Sequence, residues 1–464
     1  SDVTEVLASK SSGAKPSYDR LEWLGDGVLK LIQTDALLRS SDLADWIGCL
    51  HEGDLSTLRS AMGANDRLRQ VCQYHDLDKF ILINPFGRGE WAPMGFSFVE
   101  HGDGAEMVVK EVEAKKPSSK VCADVIEALL GLIYVRYGYK VSCNVALEIG
   151  VSLQTEDTTT PPPSIEEPMN SMYRCATSFL GVDTFRNYEL IQEAFTHPSY
   201  IHGEVPCYQR LEWIGDAVLC LAVRDLIFKQ YADAAVSQLV LIESTLVSNE
   251  TLAYIGAKSR LHKEILHEDQ SLPGRINAFD WILTSGNAKL WGLDPPKVIA
   301  DVVEALIGAV HLDGRFAAGQ KAVGHILRPI LAELFANKSS LNKNLMMHPK
   351  QALYQNGRGF FSVKNWKEEK FASQKPGKKV WRTDHWTVAD PEGSGVVASI
   401  SLFGVDVFAV LELSSIVARN RACAMMNEVL VNDSRLIEKL VTEMRTGEGT
   451  NGESGANDEL DIIA

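Results

Sequence analysis

Eight acidic side chains in this sequence are spaced for chemistry. Glu22 and Asp26 stand at i and i+4, as do Glu212 and Asp216; Asp124 and Glu127, like Asp301 and Glu304, stand at i and i+3. On a helix either spacing puts both carboxylates on one face. Each pair interrupts an otherwise apolar stretch, as in RLEWLGD and ADVVEALIG. Grouping carboxylates in such surroundings is costly unless a cation or base neutralises them. Four of them from two helices make an oxygen-rich box suited to Mg2+ or Mn2+. Such a box can hold two ions about 4 Å apart for in-line phosphodiester attack, one activating water and the other stabilising the leaving oxygen. A single pair would more simply be a surface ion pair or a cap. Two pairs recurring in the same order in two places, four in all, do not read that way.

The recurrence is a duplication. YDRLEWLGDGVL (18–29) returns as YQRLEWIGDAVL (208–219), LRSAMGAN ending at Asn65 returns as IESTLVSN ending at Asn249, and KVCADVIEALLG (120–131) returns as KVIADVVEALIG (297–308). Three matched blocks in one order mean two copies of one domain. The offsets fall from 190 to 184 to 177, so the first copy holds the longer loops. Leu211, Ile214, Val218, Leu221 and Ala222 recur at helical spacing, as do Ile299, Val302, Val303, Leu306 and Ile307. Each copy is expected to be all-α. The expected boundaries are 1–150 for the first copy, 151–167 for an acidic Thr/Pro-rich linker and 168–337 for the second copy.

The remainder changes character. Residues 346–434 read as a small α-β-β-β-α unit: a short helix at Pro349–Tyr354, a Lys-rich loop, strands at Trp386–Ala389, Val396–Leu402 and Val405–Leu411, and a helix from Ser415 to Val431. The loop carries Lys364, Lys367, Lys370, Lys375, Lys378, Lys379 and Arg382 beside Trp366 and Trp381, and reads either as an RNA-binding or as a solvated segment. Residues 446–464 are acidic and Gly/Ser/Asn-rich and read as disordered.

Composition excludes several classes. With 45% hydrophobic and 23% charged residues the chain is globular in type, neither collagen-like nor wholly disordered. No apolar run reaches the roughly 18 residues of a membrane span, and no signal peptide opens the chain. It begins at Ser1 and enters structured-looking sequence at once, as a fragment of something longer would. The net charge of −15 argues at first against a nucleic-acid partner. Nine of those charges, however, are unopposed acids in 151–170 and after Arg445, leaving six on the folded parts. Bound Mg2+ would offset these in turn. Eight scattered cysteines show no zinc-ligand spacing and suit a reduced, intracellular setting, in the cytoplasm, the nucleus or both.

RLEWLGD and RLEWIGD resemble the ribonuclease III signature, ADVIEALLG and ADVVEALIG its second acidic motif, and AFTHPSY (194–200) its first-helix motif. As a tandem, the chain resembles the C-terminal half of Dicer and Dicer-like proteins, over both repeats and more loosely over the third unit. The resemblance implies two all-α endonuclease domains joined as an intramolecular pseudo-dimer, followed by a divergent double-stranded-RNA-binding domain. It implies a Mg2+-dependent endoribonuclease, with Mn2+ as substitute. Double-stranded RNA would be cut one strand per domain, leaving 3′ overhangs and 5′-phosphates, for RNA silencing. The alternatives are a non-catalytic RNA-binding scaffold and a ribosomal-RNA-processing ribonuclease III.

Carried over residue by residue, the family's metal quartet falls on Glu22, Asp26, Asp124 and Glu127, and on Glu212, Asp216, Asp301 and Glu304. Lys120 and Lys297, one turn before the second pair, read as cations for the scissile phosphate or as solvated helix-start lysines. Trp23 and Trp213 would plug into the partner domain, with Gly25 and Gly215 allowing close approach at that seam. Asn65 and Asn249 read as capping or core hydrogen-bonding residues, or else as contacts to metal-bound water or RNA. His197 belongs to the first-helix motif rather than serving as a base. The first copy has only EVLASKSS in that place, so its first helix is expected to be truncated or divergent. In the third unit Arg419 alone keeps a charge where the family grips phosphate, and Lys378 and Lys379 would compensate. Ile416 and Val417 there suit a protein-facing surface. The implied partners are double-stranded RNA and a double-stranded-RNA-binding cofactor protein, with no membrane, for a chain that is itself a monomer.

Overall fold

A computed structural model describes residues 2–39, 52–83, 96–97, 110–111, 116–153, 170–202, 205–284, 295–335, 361–367, 396–402, 405–412 and 415–432. The described chain is mainly helical. The first repeat contains α1 (Asp2–Leu7), α2 (Asp19–Leu38), α3 (Glu52–Met62), α4 (Asn65–Tyr74), α5 (Ser119–Tyr137) and α6 (Tyr139–Glu148). The second contains α7 (Ser171–Leu180), α8 (Tyr188–Phe195), α9 (Gln209–Gln230), α10 (Val236–Leu246), α11 (Asn249–Lys258), α12 (Leu272–Thr284) and α13 (Lys297–Phe335), which breaks at Arg315. The longer loops of the first repeat add a two-residue antiparallel ladder, β1 (Phe96–Ser97) with β2 (Lys110–Glu111), where only helix was expected.

By compactness the chain forms two units. One comprises Ser1–Val247, Lys258–Asp269 and Asp301–Arg328; the other comprises Ser248–Ala257, Gln270–Ala300 and Pro329–Ala464. No helix is long and apolar enough to cross a membrane among the described residues.

Local chemistry sets the helix ends. Ser118 caps α5 by accepting from the Val121 amide, and Asn170 caps α7 by accepting from Tyr173. Gly138 and Gly181, at φ 80° and 63°, end α5 and α7. The apolar stripes read from the sequence are core: Leu211, Ile214, Val218, Ile299, Val302, Val303, Leu306 and Ile307 are fully buried.

Within each repeat the two acid-bearing helices lie unusually close. A Cβ on Gly25 would sit 1.8 Å from the Glu127 carbonyl oxygen, and one on Gly131 would sit 2.2 Å from that of Leu21. Gly215 against Glu304 and Gly308 against Leu211 repeat those distances, 1.8 and 2.2 Å. This corrects the expectation for Gly25 and Gly215. They permit approach inside a repeat, between α2 and α5 or α9 and α13, and not between repeats. The seam glycine is Gly27, where a Cβ would meet Arg224 Cδ at 2.9 Å.

The first helix of the first repeat is short, as expected: α1 has six residues where α8 has eight. After α1, Ala8 bridges Leu82 in parallel, and the Tyr18 amide donates to the Ala8 carbonyl. After α8, Thr196 bridges Leu266 and Tyr208 donates to Thr196 in the same way.

In the other unit, β3 (Phe361–Lys367), β4 (Val396–Leu402) and β5 (Val405–Glu412) form an antiparallel sheet in that order, with α14 (Ser415–Asn432) packed on it. Ile400, Ala418, Ala422, Met426 and Leu430 are buried. The last two strands and the helix lie where the hydrophobic pattern put them. One expectation is corrected: Lys364, Trp366 and Lys367 belong to a strand rather than to a loop. Pro349–Tyr354, Lys378 and Lys379, the proposed strand Trp386–Ala389, nearly all of the 151–167 linker and the 446–464 tail lie outside the described residues.

Candidate metal centres

α2 and α5 bring Glu22, Asp124 and Glu127 together, with ligand atoms all within 4.8 Å of one another. α9 and α13 do the same for Glu212, Asp301 and Glu304. Asp124, Glu212 and Asp301 are buried, at 7%, 6% and 4% exposure. A tyrosine orients each central aspartate: Tyr18 donates to Asp124 Oδ2 and Tyr208 to Asp301 Oδ2, both at 3.1 Å. Those tyrosines open both copies of the first motif, and that repetition was the signal for them.

Crowding these acids raises their affinity for protons. Burial, then the Asp124 charge, pushes Glu22 up to about 7, partly opposed by Lys120. Burial followed by the charges of Asp26, Asp124 and Glu22 pushes Glu127 up to about 8. Lys120 Nζ lies 2.9 Å from Asp124 Oδ1 and 3.6 Å from Glu22 Oε1, while its side chain remains 67% exposed. Lys297 opens α13 one turn before Asp301. A set of closely spaced, partly desolvated carboxylates with no other donor type fits a hard divalent cation.

Asp26 and Asp216 stand apart from these groups. Asp26 Oδ2 pairs with Arg224 Nη1 at 2.6 Å, and Asp216 Oδ2 with Lys30 Nζ at 2.8 Å. In both cases the base comes from the other repeat.

The tryptophans reach across too. Trp23 Nε1 donates to Glu243 Oε2 at 3.0 Å with Arg224 over its ring, and Trp213 Nε1 donates to Ser56 Oγ at 3.0 Å with Arg59 over its ring. Glu243, only 9% exposed, also accepts from Arg224 Nε at 2.7 Å. A second polar node joins α2 to α13, where His311 Nε2 lies 2.8 Å from Asp35 Oδ1 and Tyr139 donates to Asp35 Oδ2 at 2.7 Å.

Other singled-out residues lie elsewhere. His197 accepts from the Ser199 amide at Nδ1 and packs edge-on against Tyr208; burial lowers its proton affinity. Asn65 and Asn249 begin α4 and α11 and are exposed, so neither is a core hydrogen-bonding residue. The cap position before Asn65 is Ala64. Arg419 lies in the first turns of α14, part-exposed.

The model of the ribonuclease III domain matches residues 19–138 and 209–315. The chain thus carries a ribonuclease III domain in two segments, one in each repeat. Over most of its length it is similar to Dicer proteins. Endoribonuclease Dicer homolog 1 of Oryza sativa subsp. japonica is 28% identical over 396 residues, covering 76% of this chain and 20% of that protein. Protein Dicer of Schizosaccharomyces pombe is 28% identical over 333 residues, covering 68% and 23%. The crystal structure of Dicer from Giardia intestinalis overlaps 67% of this chain and 54% of that one at 15% identity and a TM-score of 0.38. The chain thus spans about a fifth of the length of the curated relatives it matches.

Proposed function

We propose that this chain is a Mg2+-dependent endoribonuclease that cuts double-stranded RNA, one strand at each acidic centre, leaving 3′ overhangs and 5′-phosphates. The observation that carries the reading is that two tyrosine-oriented carboxylate clusters recur with the same geometry in one chain. Vestigial sites on a binding scaffold would have lost at least one member, and all eight acids are present. The Dicer names of the relatives favour small RNA duplexes made for RNA silencing over ribosomal-RNA processing. The free cysteines suit a reducing compartment, cytoplasm or nucleus.

Glu22, Asp26, Asp124 and Glu127 would hold the metal in the first centre, and Glu212, Asp216, Asp301 and Glu304 in the second. The bound ions would supply water activation and stabilisation of the leaving oxygen. Tyr18 and Tyr208 hold Asp124 and Asp301 in one rotamer. Glu22 and Glu127, whose raised proton affinity comes from burial and neighbouring acids, would hold a cation in their deprotonated form. Lys120, largely exposed, can turn from its carboxylates to the scissile phosphate, and Lys297 is the matching residue of the second centre. Trp23 and Trp213 join the repeats as an intramolecular dimer, so a single chain presents two centres to one duplex.

The three-stranded sheet with its packed helix supports a double-stranded-RNA-binding-like third unit. In it Arg419, with Lys378 and Lys379, would touch phosphate, and Ile416 and Val417 would serve a cofactor protein. The test is to incubate the chain with Mg2+ and double-stranded RNA, single-stranded RNA or duplex DNA. Mg2+-dependent cutting of double-stranded RNA alone, with 5′-phosphate ends, is the expected result. Absence of cutting even with Mn2+, or equal cutting of single strands, would contradict it.

A further inference from the structure

The fourth carboxylate of each quartet is the least secured by its own repeat. The side chains of Asp26 and Asp216 are 52% and 44% exposed, one turn beyond Glu22 and Glu212. Each rides on the same helix as the first acid of its centre, outside the three carboxylates held within 4.8 Å of one another. What fixes each is a base from across the seam that is much less exposed than the aspartate: Arg224 at 13% and Lys30 at 26%. Arg224 is itself immobilised. Its Nε donates to Glu243 at 2.7 Å, its Nη1 to the Trp23 carbonyl at 2.6 Å, and it stacks on the Trp23 ring. The pair is made through Oδ2 at both aspartates.

The duplication supplies an independent observation. At the offset of 190 that relates the first motifs, Arg224 corresponds to Thr34 and Lys30 to Cys220, neither of which is a base. The ion pair therefore recurs at both centres although the residues that make it do not. A shared ancestral side chain does not account for that; a shared requirement does. Seam adhesion is a poor candidate for the requirement. Pairs with half-exposed partners stabilise little, and burying a base is no better for stability than an apolar side chain of similar size.

We propose that Arg224 and Lys30 are positioning residues that act in trans, each setting the fourth carboxylate of the other repeat's centre for catalysis. The proposal rests on the reading of both centres as cleavage sites. Each repeat then needs its partner for its own chemistry, and the seam is a functional part of both sites.

The test uses the full chain, strand-labelled double-stranded RNA with Mg2+, and Mn2+ binding to the RNA-free chain followed by electron paramagnetic resonance. Because Arg224 also braces Glu243 and Trp23, the deciding variant is Lys30→Met, which breaks one ion pair. It should lower kcat about 10- to 100-fold on the strand cut by the second repeat, the scale of an outer partner of a metal ligand. KM and the strand cut by the first repeat should stay within about twofold, and Lys30→Arg should restore the rate. Mn2+ should bind as tightly as in the parent or more tightly, since a neighbouring positive charge has gone. Arg224→Gln should slow the opposite strand. Equal slowing of both strands, slowing of neither, loss of Mn2+ or failure of Lys30→Arg to rescue would overturn the proposal. If the parent chain cuts neither strand, the cleavage reading fails and this proposal falls with it.

Discussion

In the first repeat Tyr18 reaches Asp124 at 3.1 Å, and in the second Tyr208 reaches Asp301 at 3.1 Å. The glycine pairs that bring the acidic helices together match as closely, at 1.8 and 2.2 Å in both repeats. The supports at the seam do not match. Trp23 donates to the carboxylate of Glu243, whereas Trp213 donates to the hydroxyl of Ser56. Arg20 crosses the seam to the carbonyls of Ala234 and Phe228, while its counterpart Arg210 stays inside its own repeat on Glu193. Asp35 meets a buried histidine, His311, where its counterpart Asp225 meets Tyr134, Lys229 and Gln320. Duplication thus left the carboxylates and the backbone approach that sets them alike, and let the joining residues diverge. Chemistry allows few solutions at the former; burial and pairing at a seam can be met in many ways.

The glycines give the largest expected effect. Gly25→Ala and Gly215→Ala would each drive a methyl into a backbone oxygen that cannot step aside, costing about 3 kcal/mol or more. Gly27→Ala meets only a side chain and should cost about 1 kcal/mol. Thermal or urea unfolding checks the order; equal losses would show that the two kinds of approach do not differ.

The tryptophans follow. Trp23→Phe removes a hydrogen bond to a buried carboxylate and should cost about 2 kcal/mol, whereas Trp213→Phe removes one to a hydroxyl and should cost about 1 kcal/mol. Urea unfolding of both variants measures the difference, and a reversed order would place the stronger anchor in the second repeat.

Smallest is a pH effect. Glu22 and Glu127 bind protons more tightly in the folded chain than the ordinary carboxyl value of 4.5, at about 7 and about 8. The metal-free fold therefore holds their contribution below about pH 4.5 and loses it as pH rises to about 8. Without metal, Tm should fall by a few degrees between pH 6 and 8.5, and the gain in Tm on adding Mn2+ should grow over the same range. A metal-induced gain that shrinks with pH would contradict the reading of these acids.

How far the sequence reveals this molecule follows the same division. The eight acids and the tandem helices were visible because each appears twice at fixed offset; Tyr18 and Tyr208 repeat as well, but only the structure shows that they bond to Asp124 and Asp301. Arg224 and Lys30 were not, because their counterparts Thr34 and Cys220 carry no such charge and the pairs form between residues about 190 apart. Glu243 was hidden for a related reason: at the offset of 184 its counterpart is Arg59, which also lies against a seam tryptophan but with opposite charge. The six-residue α1 is too short to show a periodicity. Phe361–Lys367 carries two lysines and an asparagine on a strand, so charge density masked its alternation. Gly25 and Gly215 were seen as sites of close approach, but a glycine does not name the helix that approaches it.

The central claim is that two equivalent centres each cut one strand. It is tested most directly by treating strand-labelled double-stranded RNA with the parent chain, Asp26→Ala, Asp216→Ala and the double variant in Mg2+. The parent should cut both strands, each single variant should nick the opposite strand from the other, and the double variant should be inert. Loss of both strands in either single variant, or cutting by the double variant, would contradict two independent centres.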